Sequence, residues 1–98
     1  MDTEQESRFF DRLHNDDLVV FRNPDAAPQC GFVMEKQPTT KKVKVLLYPY
    51  AGDTLWIGDR TVLVRMESIL SVHRPRMGAP DLTRGVERID FAAVDLQQ

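Results

Sequence analysis

The sequence is poor in the residues that most catalytic and metal sites use. It has one cysteine, Cys30, and two histidines, His14 and His73, among 98 residues. A lone cysteine excludes an internal disulfide, and neither histidine stands at a zinc-ligand spacing from it. The acidic residues are scattered, so no nucleophile, base and orienting group come together in the sequence. We therefore predict a protein that is not an enzyme and uses no metal and no cofactor.

Long apolar runs are also missing. No segment approaches the length of a membrane span, and the first ten residues, MDTEQESRFF, are too acidic and polar for a secretory signal. Cys30 stands at the start of an apolar segment and is typical of a small packed residue. Nothing in the cysteine content indicates an oxidising compartment. These features predict a soluble cytoplasmic protein of a single domain.

The chain has no large excess of charge, since its formal net charge is −2. Residues 1–17 hold six acidic and two basic residues, a net −4, and residues 77–98 hold four and two, a net −2. Residues 18–76 hold five acidic and nine basic residues, a net +4. Two interpretations remain open: solvated surface charge, or acidic arms that dock on a basic face of this chain or of a neighbouring subunit.

The first of these arms, residues 1–15, shows helical apolar spacing. Phe9, Phe10 and Leu13 fall on one side of a predicted helix. A helix of about 11 residues is marginal alone in water, so we expect these side chains to dock on another surface. Asp16 and Asp17, which follow, read as solvated acids in a turn.

The C-terminal arm, residues 81–98, follows a linker at residues 75–80 and is also predicted to be helical. Gly85 weakens this helix by about 1 kcal/mol. We expect the arm to dock through its first apolar residues. The apolar stripe at helical spacing consists of Leu82, Val86, Ile89, Ala93 and Leu96.

Between the arms, the chain alternates short β-branched and aromatic segments with turn residues, which predicts strands. A single helical turn is predicted at residues 66–69, before the last strand. The predicted strands are residues 18–22, 31–36, 42–48, 54–57, 60–64 and 70–73. The predicted core consists of Val20, Val33, Val43, Val45, Leu47, Leu55, Ile57, Val62, Val64, Ile69 and Val72.

This rhythm resembles a Src-homology-3-like small β-barrel of the KOW and Tudor kind, over residues 16–74. The residues that carry it are Asp16 to Val20 entering a strand, Gly31-Phe32-Val33, Lys42 to Leu47, Trp56, and Glu67 to Val72. The resemblance implies a mainly β fold, a bent antiparallel barrel of five to six strands with a helical turn before the last strand. Members bind peptides, modified side chains or nucleic acids, or serve as structural modules in bacterial and phage assemblies. The loop at residues 23–29 lacks the acidic and tyrosine-rich character of proline-peptide binders.

The outer face of the predicted barrel is the candidate binding surface. Alternation in the third strand points Lys42, Lys44, Leu46 and Tyr48 outward. A hairpin turn at Gly58 and Asp59 sets a register that points Trp56 and Leu63 outward as well. Exposed aromatic residues rimmed by charge are typical of an interface with another protein or a second copy of this chain. The full predicted surface is Lys42, Lys44, Leu46, Tyr48, Tyr50, Trp56 and Leu63.

Two other interpretations of these residues stay open. The aromatic residues form a cage or stacking platform, or an arm of the same chain covers them. A nucleic-acid-binding module is the alternative function, and the acidic total charge makes it the weaker one. That alternative would use Lys36, Lys41, Lys42, Lys44, Tyr48 and Trp56.

Overall fold

The computed structural model describes residues 1–48, 61–76 and 90–95. Within them the chain is mainly β, as predicted, with one α-helix, α1, at Thr3–Arg12. A short 3₁₀ helix at Met66–Ser68 lies where the single helical turn was predicted. The strands are β1 Leu18–Phe21, β2 Gln29–Gln37, β3 Lys42–Tyr48, β4 Thr61–Arg65, β5 Ile69–Pro75 and β6 Phe91–Ala93.

The six strands form one antiparallel sheet in the order β4-β3-β2-β1-β5-β6. Strands β1 to β4 follow one another as neighbours, and β5 then returns to pair with the free side of β1. The described strands leave this sheet open, so they do not show a closed barrel. The predicted fourth strand, residues 54–57, and the turn after it lie outside the described residues.

Helix α1 begins with a capping box. The Asp2 carboxylate accepts a hydrogen bond from the Gln5 backbone N–H at 2.7 Å, and the Gln5 side chain accepts one from the Asp2 N–H. Phe9, Phe10 and Leu13 are buried in the same apolar cluster as the inner face of the sheet. The predicted docking of this helix is therefore confirmed.

Most of the predicted core is confirmed by burial. Leu47 and Val62 are half-buried and pack against the cluster, while Leu55 and Ile57 lie outside the described residues. The buried members of the predicted set are Val33, Val43, Val45, Val64, Ile69 and Val72.

The predicted inward orientation of Val20 is wrong by one residue. Val19 and Phe21 are fully buried in the core, and Val20 is only half-buried on the opposite face. Every residue of β1 is apolar, because β1 is a central strand with cover on both faces. Such a segment has no alternation from which the inward face can be identified.

The predicted C-terminal helix is wrong for the part of it that the structure describes. Phe91–Ala93 is strand β6, antiparallel to β5 at the edge of the sheet. This pairing gives hydrogen-bond partners to the otherwise free edge of β5. The helical spacing of the apolar residues in this segment does not reveal the pairing. The Arg76 N–H donates to the Asp90 carbonyl and the Val94 N–H to the Val72 carbonyl, both at 2.9 Å. The predicted docking residues Leu82, Val86 and Ile89 lie outside the described residues.

Gly31 is required by close packing between β2 and β3. An alanine Cβ at this position would overlap the Leu46 carbonyl oxygen and lie 2.5 Å from Val45 Cγ1. We expect Gly31→Ala to lower the free energy of unfolding by about 2–3 kcal/mol, because backbone atoms must move to admit the methyl group. Urea unfolding measures this. Cys30→Ala, at the neighbouring half-buried position, should cost about 1 kcal/mol or less, and equal losses would contradict the steric explanation.

Candidate functional site

Part of the predicted surface lies on the outer face of the sheet, which is the face opposite helix α1. Lys44 is exposed, Lys42 is half-buried, and Leu63 of β4 is 50% exposed directly opposite Lys44. Tyr48 ends strand β3. Tyr50 and Trp56 lie outside the described residues, so the predicted aromatic part of the surface stays a prediction.

The predicted exposure of Leu46 is wrong. Leu46 does lie on the outer face, opposite Phe32 in the β2–β3 pairing, but it is only 7% exposed. Phe32 is itself buried, and its ring stacks on that of Phe91 with the centroids 6.3 Å apart. The outer face therefore carries a second, smaller apolar cluster. The sequence did not reveal it because Phe91 comes from a segment predicted to be helical.

A shift in register places two consecutive side chains of β2 on the outer face. The β2–β3 pairing runs Val33 to Val45 and then Glu35 to Lys44, so Met34 is an extra residue without a partner. Met34 points outward by alternation after the buried Val33, and the bulge lets Glu35 face outward as well. Met34 is 48% exposed, and Glu35 beside it is also exposed. We call Met34, Glu35, Lys44 and Leu63 the outer patch.

The outer patch crosses three adjacent strands, β2, β3 and β4. Neighbouring strands lie about 4.8 Å apart, so Met34 and Leu63 stand roughly 10 Å from each other with Lys44 between them. No ion pair within 4 Å joins Glu35 to Lys44 among the described residues. The patch thus combines two exposed apolar side chains with one charge of each sign.

The predicted basic cluster is divided between two places. The Nζ atoms of Lys36 and Lys41 lie 4.7 and 4.9 Å from the centre of the Phe10 ring. This is the geometry of a cation–π contact, which holds both ammonium groups against helix α1. Only Lys42 and Lys44 of the four predicted lysines remain on the outer face. The sequence could not show this, because it does not say where the helix docks.

The interpretation of Asp17 as a solvated turn acid is wrong. Its side chain is fully buried, and it forms two hydrogen bonds with Arg74, from Nε to Oδ1 at 2.8 Å and from Nη2 to Oδ2 at 2.9 Å. The His14 N–H donates to Oδ2 at 2.9 Å. Arg74 Nη2 also donates to the Arg12 carbonyl at 2.8 Å, at the end of helix α1. This pair links α1, the start of β1 and β5, so its role is structural.

The partnership also fixes the charge of Arg74. The hydrogen bond with Asp17 raises the pKa of the guanidinium, partial burial opposes this, and the Asp17 charge adds to the rise. Arg74 therefore stays protonated wherever the protein is folded. The buried Asp17 carboxylate neutralises the positive charge of Arg74, which leaves little of that charge to attract a partner.

A groove of about 580 Å³ opens between the β1–β2 connection and the 3₁₀ helix. Residues 22–26 line one side, and Arg65, Glu67 and Ser68 line the other. Arg65 is already paired with Glu67. The lining also contains Arg22 and Asp25, so positive and negative groups balance. This balance gives the groove no preference for a ligand of one charge.

Comparison with known proteins found no matching family model, no matching curated protein and no matching solved structure. The resemblance to Src-homology-3-like barrels therefore remains a prediction from the residues. The helix within the described ranges is too short and too polar to cross a membrane.

The remaining reactive side chains form no grouped site in the described part of the chain. No three His, Cys, Asp or Glu side chains there are placed to hold a metal ion. Burial raises the pKa of the Cys30 thiol, which keeps it protonated and weakly nucleophilic at neutral pH. Ser71 Oγ lies 3.3 Å from His73 Nε2, two positions apart on β5. The outer patch is therefore the candidate functional site.

Proposed function

We propose that this chain is a non-enzymatic interaction module that assembles with a second copy of itself through the outer patch. The observation that carries the proposal is the juxtaposition of Met34 and Leu63, each about half exposed, on either side of Lys44. Apolar side chains grouped on a sheet face and rimmed by charge are typical of contact surfaces. Burying them against a partner removes apolar area from water.

The charges of the outer patch favour a second copy as the partner. Glu35 and Lys44 oppose each other across β2 and β3, so the patch holds one negative and one positive group side by side. A two-fold axis that runs between β2 and β3 brings Lys44 of each copy to Glu35 of the other. Such an isologous contact is self-complementary, which is the usual symmetry of a homodimer.

The nucleic-acid alternative has less support. Binding to phosphates requires several free cations on one face. Lys36 and Lys41 lie over the Phe10 ring, Arg74 is held by Asp17, and Lys44 is beside Glu35. The outer patch has no net charge to attract a polyanion.

We also propose the finer assignments of fold and location on the sequence and topology together. A 3₁₀ helix directly before β5, and the pairing of β5 with β1, support the Src-homology-3-like interpretation. The free thiol of Cys30 supports a cytoplasmic location.

Replacing one apolar residue of the outer patch tests the proposed function. We expect Leu63→Ser to weaken self-association at least about tenfold, because it removes one of the two exposed apolar side chains of the outer patch. Sedimentation equilibrium over a range of protein concentrations measures the dissociation constant. Leu70→Ser is the matched control, since Leu70 is equally exposed at 53% but lies outside the patch.

Three outcomes distinguish the interpretations. Weakening by Leu63→Ser alone, with unchanged unfolding midpoints for both variants, supports the outer patch. Equal weakening by both variants contradicts it, because the contact would then lie elsewhere. A wild-type protein that stays monomeric at all concentrations also contradicts assembly with a second copy.

A further inference from the structure

The edge of β5 and the buried ring of Phe32 together form a slot for one extended strand. In the structure, β6 fills it. His73, Arg74 and Pro75 of β5 pair with Ala93, Ala92 and Phe91. Phe91 then reaches across the outer face to stack on Phe32. We call the β5 edge together with Phe32 the strand slot.

The occupant of the strand slot is short, and two apolar contacts hold it: Phe91 on Phe32, and Val94, directly after β6, on the core cluster. Phe91 and Ala92 are half-buried, and Ala93 is exposed. The ion pair between Arg76 and Asp90 has its closest atoms 3.6 Å apart on largely exposed side chains. Exposed ion pairs of this kind contribute little to stability. The ring of Phe91 is therefore the apolar anchor of β6 on the outer face, and Val94 anchors the residue after it on the inner face.

We propose that the strand slot is a binding site for an extended peptide segment of a partner protein that carries an aromatic residue followed by small residues. Strand β6 is then the chain's own occupant of that site. A sheet edge gives affinity through main-chain hydrogen bonds, and a pocket for alternate side chains gives specificity. This site shares no residue with the outer patch, so the inference goes beyond the proposed function.

The side chains of β6 that occupy the strand slot indicate the chemistry of a partner segment. The aromatic ring takes the position of Phe91 on Phe32, and small residues follow it, as Ala92 and Ala93 do. A recess of about 310 Å³ beside them is lined by Pro75 and Arg76 at the end of β5, together with residues 92–94. On either side of β6, Asp90 pairs with Arg76, and the Arg12 guanidinium donates to the backbone carbonyl of Asp95 at 3.1 Å, a contact that any residue type at this position can accept.

The internal strand makes binding conditional. A tethered segment competes at an effective concentration of the order of millimolar. The apparent affinity for an external strand is the intrinsic affinity multiplied by the fraction of time that the slot is empty. Loosening β6 should therefore raise the affinity for an external peptide without changing the slot itself.

The test uses the full chain and a peptide with its own sequence. A fluorescein-labelled peptide of residues 88–96 is titrated with wild-type protein and with Phe91→Ser, and fluorescence anisotropy reports binding. We expect Phe91→Ser to bind at least about tenfold more tightly than the wild type, since each tenfold step needs only a modest change in binding free energy. A control peptide with serine at the position of Phe91 should lose most of this binding.

A second variant keeps the test decisive if Phe91→Ser does not fold. Ala92→Pro removes the β6 N–H that faces β5 at the position paired with Arg74, and it leaves Phe32 untouched. Peptide binding by either variant, with slowed hydrogen exchange in β5, supports the strand slot. No binding by a folded variant, or equal binding of the two peptides, overturns it. Neither result depends on the Leu63→Ser and Leu70→Ser comparison, so the two proposals fail separately.

Discussion

Replacing Phe10 with alanine is expected to lower the free energy of unfolding by about 4 kcal/mol. Phe10 is 4% exposed, in the cluster that joins helix α1 to the sheet. Removing a buried ring costs about 3–5 kcal/mol through lost burial and the cavity left behind. Lys36 and Lys41 lose their contacts with the ring at the same time. For a domain of this size, such a loss is a large share of the total stability.

Urea unfolding followed by circular dichroism measures this effect. Phe10→Leu keeps most of the apolar volume and should cost clearly less than Phe10→Ala. Leu70→Ala, at a residue 53% exposed, should change stability by about 0.5 kcal/mol or less. If Phe10→Ala cost no more than Leu70→Ala, helix α1 would not be part of the core.

Replacing Arg74 with methionine is expected to cost about 3 kcal/mol. The Asp17 carboxylate is fully buried and accepts two hydrogen bonds from this guanidinium. Removing one partner of a buried pair leaves the other charge without compensation, which costs about 3–5 kcal/mol. Arg74 is one-third exposed, so we expect the lower end of that range. The Arg12 carbonyl at the end of α1 also loses a donor.

Arg76→Met is the matched control for this variant. Arg76 is two residues away on the same segment, but its ion pair with Asp90 is exposed. It should contribute less than about 1 kcal/mol. The double variant Asp17→Asn, Arg74→Met should be more stable than the sum of the single losses, because the unpaired charge is gone. Additive losses, or equal losses for Arg74→Met and Arg76→Met, would contradict a coupled buried pair.

The sequence predicted the parts of the fold that local patterns control. Alternation in β3 correctly placed Val43 and Val45 inside and Lys44 outside, because β3 has one buried and one partly solvated face. The same reasoning failed for β1, where Val19 and Val20 are equally apolar. A pattern of period two needs contrast between the faces, and a strand covered on both sides provides none.

Contacts between distant segments were beyond local patterns. Asp17 and Arg74 are 57 residues apart, and nothing in either neighbourhood marks a buried pair. Strand β6 lies in a segment whose apolar residues also fit a helix, so its pairing with β5 was missed. Leu46 lies opposite Phe32, whose ring stacks on Phe91 of β6, and alternation along β3 does not reveal that its outer face is covered there.

The candidate site also combines residues that local patterns predict with residues that they do not. Lys44 and Leu63 follow from alternation and lie opposite each other in the structure. Met34 was missed although alternation after Val33 points it outward, and Glu35 joins it only through a bulge that local patterns do not predict. Trp56, the residue on which the predicted surface most depended, lies outside the described residues and remains a prediction.

A charge exchange across the proposed two-fold axis tests self-assembly through the outer patch most directly. Lys44→Glu alone and Glu35→Lys alone place like charges against each other in a dimer of identical copies. In a mixture of the two variants, each new charge meets an opposite one. We predict that sedimentation equilibrium will show weakened association for each variant and dimers restored to near wild-type affinity in the equimolar mixture. Unchanged association of the single variants, or a mixture as weak as they are, would contradict the proposed contact.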